Sequence, residues 1–324
     1  LIASYLGTEF YNPTVWQTVY IVMAGLMLVG VITTFFSPEP NIRRRNNFVK
    51  LHDQLKFLLS FTFAIAIFVL CYSILQNPFS NKEPLEKFLF AFLRIVLCFI
   101  SSSVVIYILI KVKLIPKKSA DNAYAKPISE FIDRYGKTAI IILFLIGFYR
   151  IADIVMGVVA NIFYLEKGFN VKEIATYSKF FGVFATILGG LIGGFSAVKF
   201  GTIKALFFGA VIAAASNLLF SWLAISEPSI KALIIVITAD NISSGFAGAA
   251  FVVYLSALTS IKFTATQYAL FSSLMILLPK VIAGYSGSMV NFMGYSNFYI
   301  FTAILGIPVL ILIIWIAKLA PVKE

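Results

Sequence analysis

Nine stretches of this sequence run for about twenty residues with almost no charge, near 17–36, 57–76, 88–111, 138–164, 174–196, 203–224, 232–256, 266–288 and 297–317. No other feature narrows the fold as far. A helix rises about 1.5 Å per residue, so about twenty apolar residues cross the ~30 Å hydrocarbon of a bilayer with every backbone polar group paired internally. The stretches are too long for barrel strands and lack the two-residue alternation that such strands need. A soluble surface is also out of reach. Of 324 residues, 60% are hydrophobic and 12% charged, with a mean hydropathy of +0.95, against about a quarter charged in an average chain. The expected fold is all-α and polytopic, embedded in a lipid bilayer.

The net charge of +12 reads as topology rather than as affinity for nucleic acid. Alternate loops on one side carry Arg43, Arg44, Arg45, Lys50, Lys56, Lys111, Lys113, Lys117, Lys118, Lys126, Arg134, Lys137, Lys199, Lys204, Lys262, Lys318 and Lys323. The other side has only Lys82, Lys87, Lys167, Lys172 and Lys231. Seventeen against five makes the first side cytoplasmic, with the C-terminus inside and the start of the chain outside. Cys71 and Cys98 fall inside apolar runs and say nothing of redox compartment. The single His52 stands beside Asp53 in a charged loop, and no second His or Cys cluster supports a metal site. Nothing in the sequence calls for a cofactor. Residue 1 is Leu, and LIASYLGTEF has neither a basic n-region nor a cleavage site, which reads as a chain that begins within a longer protein.

Six ionisable residues lie in or at the edges of spans: Arg94, Arg150, Asp153, Lys179, Asp240 and Lys280. Arg94 and Lys179 lie near span ends, where a long basic side chain either snorkels to the interface or serves the polar pathway. Asp153, Asp240 and Lys280 are deeper, where charge is costly and marks a polar pathway inside a helix bundle. Arg150 and Asp153 are three apart and share a helix face. The pair is either a self-neutralising device that eases insertion or part of a translocation cavity, and the two roles are compatible. The stretch Asp240–Lys280 holds two antiparallel spans joined by the SIKF link, with Asp240 and Lys280 at similar depth. A direct pair or a shared substrate contact is the expectation there. Pro279 removes a backbone hydrogen bond beside Lys280 and is expected to bend its helix.

Small residues repeat at helical spacing twice. Gly182, Thr186, Gly190 and Gly194 form one row with Gly189 and Gly193 beside it, and Ser244 and Gly248 form another with Gly245 and Ala249. Rows of this kind let helices pack closely. No strand precedes these glycines and no GK[ST] follows, so they are not a phosphate loop. The polar stretch 112–137 reads as a cytoplasmic linker and separates one span in 1–40 and two in 41–137 from a six-span block in 138–324.

Particular motifs carry a resemblance. The segment DNISSGFAGAAFVVYLSALTSIKFTATQYALFSSL at 240–274, above all FTATQYALFSSL, resembles the AmpG-type muropeptide permeases of the major facilitator superfamily. FYRIADIVMG at 148–157, SKFFGVFATILGGLIGG at 178–194, ASNLLFSWLA at 215–224 and SPEP at 37–40 support it. The resemblance covers 138–318 well and 15–40 moderately. It implies a proton-coupled carrier of the bacterial inner membrane, importing N-acetylglucosamine–anhydro-N-acetylmuramyl peptides for cell-wall recycling, a process linked to β-lactam resistance. The cargo would be a small anionic sugar-peptide, so Lys280, Arg150 and Lys179 would meet carboxylates. Asp153 or Asp240 would couple protons, and Gln267, Asn217, Asn241 and Tyr268 would offer hydrogen bonds to sugar.

Two departures from the family stand out. Members have two six-helix halves, whereas this chain supplies the last helix of the first half, two extra spans and the second half, so its partner would be the missing N-terminal half. In GGFSAVKFGTIK at 193–204, Ser196 and Ala197 stand where an acid is usual, which puts the gating role of that loop in doubt. Other readings keep the scaffold with another anionic cargo such as acetyl-coenzyme A, or make the chain an inactive split or truncated fragment. A membrane acyl- or glycosyltransferase has the least support: loop acids are scattered and no His–Asp pair lies in a span.

Overall fold

The computed structural model describes residues 12–37, 51–75, 84–112, 114, 121 and 125–319. It is helical throughout, with no strand among the described residues. The first helix, α1 (Pro13–Phe36), begins on a capped turn: Asn12 accepts from the Thr14 amide at 3.1 Å, and Pro13 takes the first helical position, where no amide hydrogen is needed. It buries none of its residues. Next come α2 (Leu51–Ile74) and α3 (Pro84–Lys111), which pack on each other as a hairpin. Ser102 donates to the Ala64 carbonyl at 3.1 Å, Phe68 meets Phe99 edge-on at 5.1 Å, and the thiols of Cys71 and Cys98 hydrogen-bond. Arg94 does not snorkel. Its Nε donates to the Tyr72 carbonyl at 3.0 Å and its guanidinium lies 3.6 Å over the Tyr72 ring. Tyr72 is in the last turn of α2, where carbonyls have no intrahelical partner, so Arg94 supplies one.

The bundle proper begins after α4 (Lys126–Tyr135) and runs through α5 (Thr138–Phe148), α6 (Ile151–Glu166), α7 (Val171–Ile174), a π-helical segment (Ala175–Phe181), α8 (Gly182–Phe200), α9 (Thr202–Ile225), α10 (Ile230–Leu258), α11 (Thr264–Ala283), α12 (Ser286–Ile304) and α13 (Gly306–Leu319). Among the described residues, eight helical stretches are long and apolar enough to cross a membrane, and Leu58–Ile74 is a shorter apolar helix inside α2. These nine correspond to the nine expected runs. The boundary between the last two spans lies inside α12. Gly294 has φ +75°, a backbone region that side chains disfavour, and the chain turns there, so α12 up to that point extends the α11 span.

Packing divides the bundle. One group is α8, α9 and α10; the other is α5, α6 and α11, with α12 bridging α6 and α9 and α13 bridging α5 and α9. The seam between α8 and α10 is the most intimate, and small residues make it so. A Cβ at Gly189 would overlap the Ile242 carbonyl, one at Gly193 the Phe246 carbonyl, and one at Gly245 the Thr186 carbonyl. Among lipids there is little hydrophobic drive between helices, and close backbone approach supplies dispersion contact in its place. The packing role expected of the glycine rows holds at Gly182, Gly189, Gly193 and Gly245, but not at Gly194, where a Cβ would meet nothing, or at Gly248, where it would meet only Arg150 Nη1. Aromatic rings fill the far side of α9: Phe163, Phe220 and Tyr299 meet at 5.1–6.5 Å.

The expected linker 112–137 is in part a helix. In α4, Phe131 is buried on Phe271 of α11 at 5.0 Å, while Ile128 and Ile132 point outward. The positions 128, 131, 132 and 135 have amphipathic spacing that the lysines around them obscure in a reading by composition.

Candidate transport site

The span that holds Arg150 is broken at Arg150. Helix α5 ends at Phe148, Tyr149 and Arg150 form a turn, and Arg150 (φ −97°, ψ 11°) stands as the residue before α6. Asp153 therefore sits in the first turn of α6, where the positive end of the helix dipole favours an acid. Its Oδ2 lies 2.9 Å from Arg150 Nε, with the two side chains 13% and 22% exposed. The other end of the guanidinium reaches α10: Nη2 donates to Ser244 Oγ at 3.0 Å, and Nη1 lies where a Cβ on Gly248 would be, 3.0 Å away. Gly248 thus makes room for the arginine. Tyr149 braces the break, stacking on Phe251 at 4.5 Å and donating to the Leu206 carbonyl at 3.1 Å.

Asp240 is one helical turn before Ser244 on the same face of α10. The structure thus pairs Arg150 with Asp153 and brings the guanidinium to Ser244, one turn from Asp240. Ser244 belongs with them, although the sequence presented it only as a small packing residue; its place one turn from Asp240 was the available signal.

The other expected residues go elsewhere. Asp240 and Lys280 do not pair. Helix α10 packs on α8 and α9, whereas α11 packs on α5 and α6, so the two consecutive helices hardly face each other. Lys280 is exposed, turned toward α3. Pro279 lies within α11 beside it, and the helix breaks after Ala283. Lys179 sits exposed in the π-helical segment, as a snorkelling lysine would.

Gln267 is not free to bind sugar. Its Nε2 donates to the Pro127 carbonyl at 2.8 Å and Glu130 Oε2 at 2.7 Å, and its Oε1 accepts from the Ser260 amide at 2.6 Å and Arg134 Nη2 at 3.3 Å. All four hydrogen-bonding positions of the amide are used in tying α4 to the start of α11. Asn241 is likewise engaged, accepting from Thr186 Oγ1 at 2.9 Å across the α8–α10 seam and donating to the Ile237 carbonyl at 2.8 Å. Tyr268 is half-buried against the core. Asn217 is different: it is fully buried, and neither amide atom meets a partner among the described residues. Its neighbour Ser216 meets Ser243 Oγ at 3.0 Å, and that hydroxyl donates to the Asp240 carbonyl at 2.8 Å. No cluster of His, Cys, Asp and Glu among the described residues could hold a metal.

A bundle of apolar helices with ionisable side chains turned inward defines a multi-pass helical membrane protein. Several curated proteins named as AmpG transporters are similar to it. The chain is 36% identical over 196 residues to "Putative transporter AmpG 4" of Rickettsia felis, covering 60% of this chain and 47% of that protein. It is 34% identical over 206 residues to the protein of the same name in Rickettsia conorii, 64% and 49% of the two chains. With "Putative transporter AmpG 1" of Rickettsia prowazekii it shares 38% over 177 residues, 54% and 40%. No family model matches. The resemblance read from the motifs holds, and the chain spans about half the length of the curated relatives it matches.

Proposed function

We propose that the chain is one half, with accessory helices, of a secondary active transporter that imports anhydro-muropeptides in exchange for the energy of a proton gradient. It would sit in a bacterial inner membrane with its C-terminus cytoplasmic, and its cargo would be N-acetylglucosamine–anhydro-N-acetylmuramyl peptides recovered for peptidoglycan recycling. The observation that supports this reading is the broken helix at Arg150, which pairs Arg150 with Asp153 and turns the guanidinium to Ser244, one turn from Asp240. Interrupted helices with charges at the break are what carriers use to present polar groups at membrane depth. One guanidinium balances one of the two carboxylates, so a proton or a cationic group of the cargo must meet the other for the site to be neutral. A cargo carboxylate that takes Arg150 from Asp153 would free the acid for a proton, which couples the two fluxes. Asn217, with an unsatisfied amide next to the Ser216–Ser243–Asp240 patch, supplies a buried polar group that water or a sugar hydroxyl would complete. Lys179 remains a second candidate cation near the start of α8, and Tyr268 a candidate hydrogen-bonding group.

The test is uptake of labelled anhydro-muropeptide by the full-length transporter in cells lacking another importer. Asp153→Asn, Asp240→Asn and Arg150→Gln are each expected to lower uptake at least tenfold, about 1.4 kcal/mol of lost interaction, with the protein still inserted. Uptake at the parent level in all three would overturn the site. Uptake of acetyl-coenzyme A in place of the muropeptide would keep the site and replace the cargo.

A further inference from the structure

Gly248 belongs by sequence to a row of small residues for helix packing, and the structure gives it a different neighbour. A Cβ at Gly189, Gly193 or Gly245 would strike backbone across the α8–α10 seam. One at Gly248 would come within 4 Å of a single atom beyond its own backbone, Nη1 of Arg150, at 3.0 Å. The space beside Gly248 is otherwise open, and the residue is half-buried.

The guanidinium presents each of its nitrogens differently. Nε faces Asp153 Oδ2 at 2.9 Å, and Nη2 donates to Ser244 Oγ at 3.0 Å. Nη1 meets no partner among the described residues. It carries two of the five N–H donors of an arginine, so an unused pair of charge-assisted donors stands beside the open space at Gly248. The chain behind it is held in place. Tyr149 is 5% exposed, stacks on Phe251 at 4.5 Å and donates to the Leu206 carbonyl at 3.1 Å, which fixes the backbone from which Arg150 projects.

Shape and charge choose the ligand. A guanidinium fork favours planar oxyanions. With Asp153 and Asp240 both protonated, Arg150 balances one negative charge within the bundle, and a phosphate dianion would exceed it. A monoanionic carboxylate fits both conditions. We infer that Gly248 is a specificity-determining residue: having no side chain, it keeps open a subsite in which a carboxylate takes the Nη1 donors of Arg150. The inference rests on the transport site proposed above and names where an anion enters it. Asp153 keeps Nε while the carboxylate docks, so docking precedes any passing of the guanidinium from one acid to the other.

Modification of Arg150 by phenylglyoxal, read by peptide mass spectrometry on the full-length transporter in nanodiscs, tests this. The probe is N-acetylalanine, a monocarboxylate, with its uncharged amide as the control. The carboxylate is expected to slow modification of Arg150, and the amide to leave it unchanged. In Gly248→Ala the carboxylate concentration that gives half-protection should rise about tenfold, the worth of one charge-assisted hydrogen bond. The added methyl meets only the tip of Arg150, whereas Gly194→Ala, whose Cβ meets nothing, should protect like the parent. Equal protection by carboxylate and amide, or stronger protection by inorganic phosphate, overturns the carboxylate subsite in the parent chain, whatever Gly248→Ala does. Unchanged half-protection in Gly248→Ala overturns the assignment to Gly248. Uptake separates this from the transport reading: parent-level uptake in Arg150→Gln removes the transport role and leaves a protecting carboxylate in its subsite. Lost uptake without protection overturns the subsite and leaves the transport reading.

Discussion

The α8–α10 seam and the α2–α3 hairpin are built from equally apolar residues and are held together by opposite means. At the seam, glycines at 189, 193 and 245 let backbone meet backbone, and Asn241 and Thr186 add one cross-helix hydrogen bond. In the hairpin there is no glycine, the buried residues among those described are Ser60, Ala64 and Cys98, and the ties are discrete: Arg94 on Tyr72, Ser102 on Ala64, Cys71 beside Cys98. Burial follows. The span Thr138–Glu166 is 56% buried at its most apolar window, and Glu86–Lys111 only 11%. The hairpin is a peripheral element exposed over most of its described surface, whereas the bundle buries its polar groups among helices. Hydropathy alone does not separate the two; residue size along one face does.

Substitutions at the seam should be the most damaging. Gly245→Val pushes a branched side chain into the Thr186 backbone and should cost about 3 kcal/mol, at the upper end of overpacking. The measure is thermal unfolding in detergent, with Gly194→Val, whose Cβ meets open space, as the control expected near zero. Equal losses in both would remove the seam from its special place. An intermediate effect is expected where α4 is tied to the bundle. Gln267→Leu strands the Ser260 amide and the Pro127 carbonyl and should cost about 1.5 kcal/mol, read as faster hydrogen exchange across 126–135. If exchange there stays slow, the contact of Phe131 with Phe271 holds α4 by itself. The smallest effect belongs to the hairpin: Arg94→Gln should cost about 0.5 kcal/mol, since the pair is partly exposed. It should also slow oxidative cross-linking of Cys71 to Cys98. A loss as large as that of Gly245→Val would make the hairpin as integral as the seam.

Particular residues show how far the sequence reached. The Arg150–Asp153 pair was legible because three-residue spacing on a helix permits only one relative placement. The nine spans were legible because each is long enough to be judged alone. Asp240 with Lys280 misled, since equal depth on consecutive helices was read as proximity, and α10 and α11 face different neighbours. Gln267 lay in the most family-specific motif and proved to be a staple for α4, a helix hidden among loop lysines. Asn241 was expected at a sugar and instead locks two helices. The break at Arg150 had no proline to announce it, only Gly147 three residues before.

Hydropathy reports a residue's coordinate along the membrane normal, because the bilayer's thickness sets how long an apolar run must be. That one-dimensional information determined the number of spans, their limits and the depth of each charge. The other two coordinates, which helix neighbours which and where a side chain points around the helix axis, depend on backbone approach across seams such as Gly189 with Ile242. Only the tertiary structure decided them. It paired Arg150 with Asp153, brought the guanidinium to Ser244, one turn from Asp240, and turned Lys280 outward to the accessory hairpin.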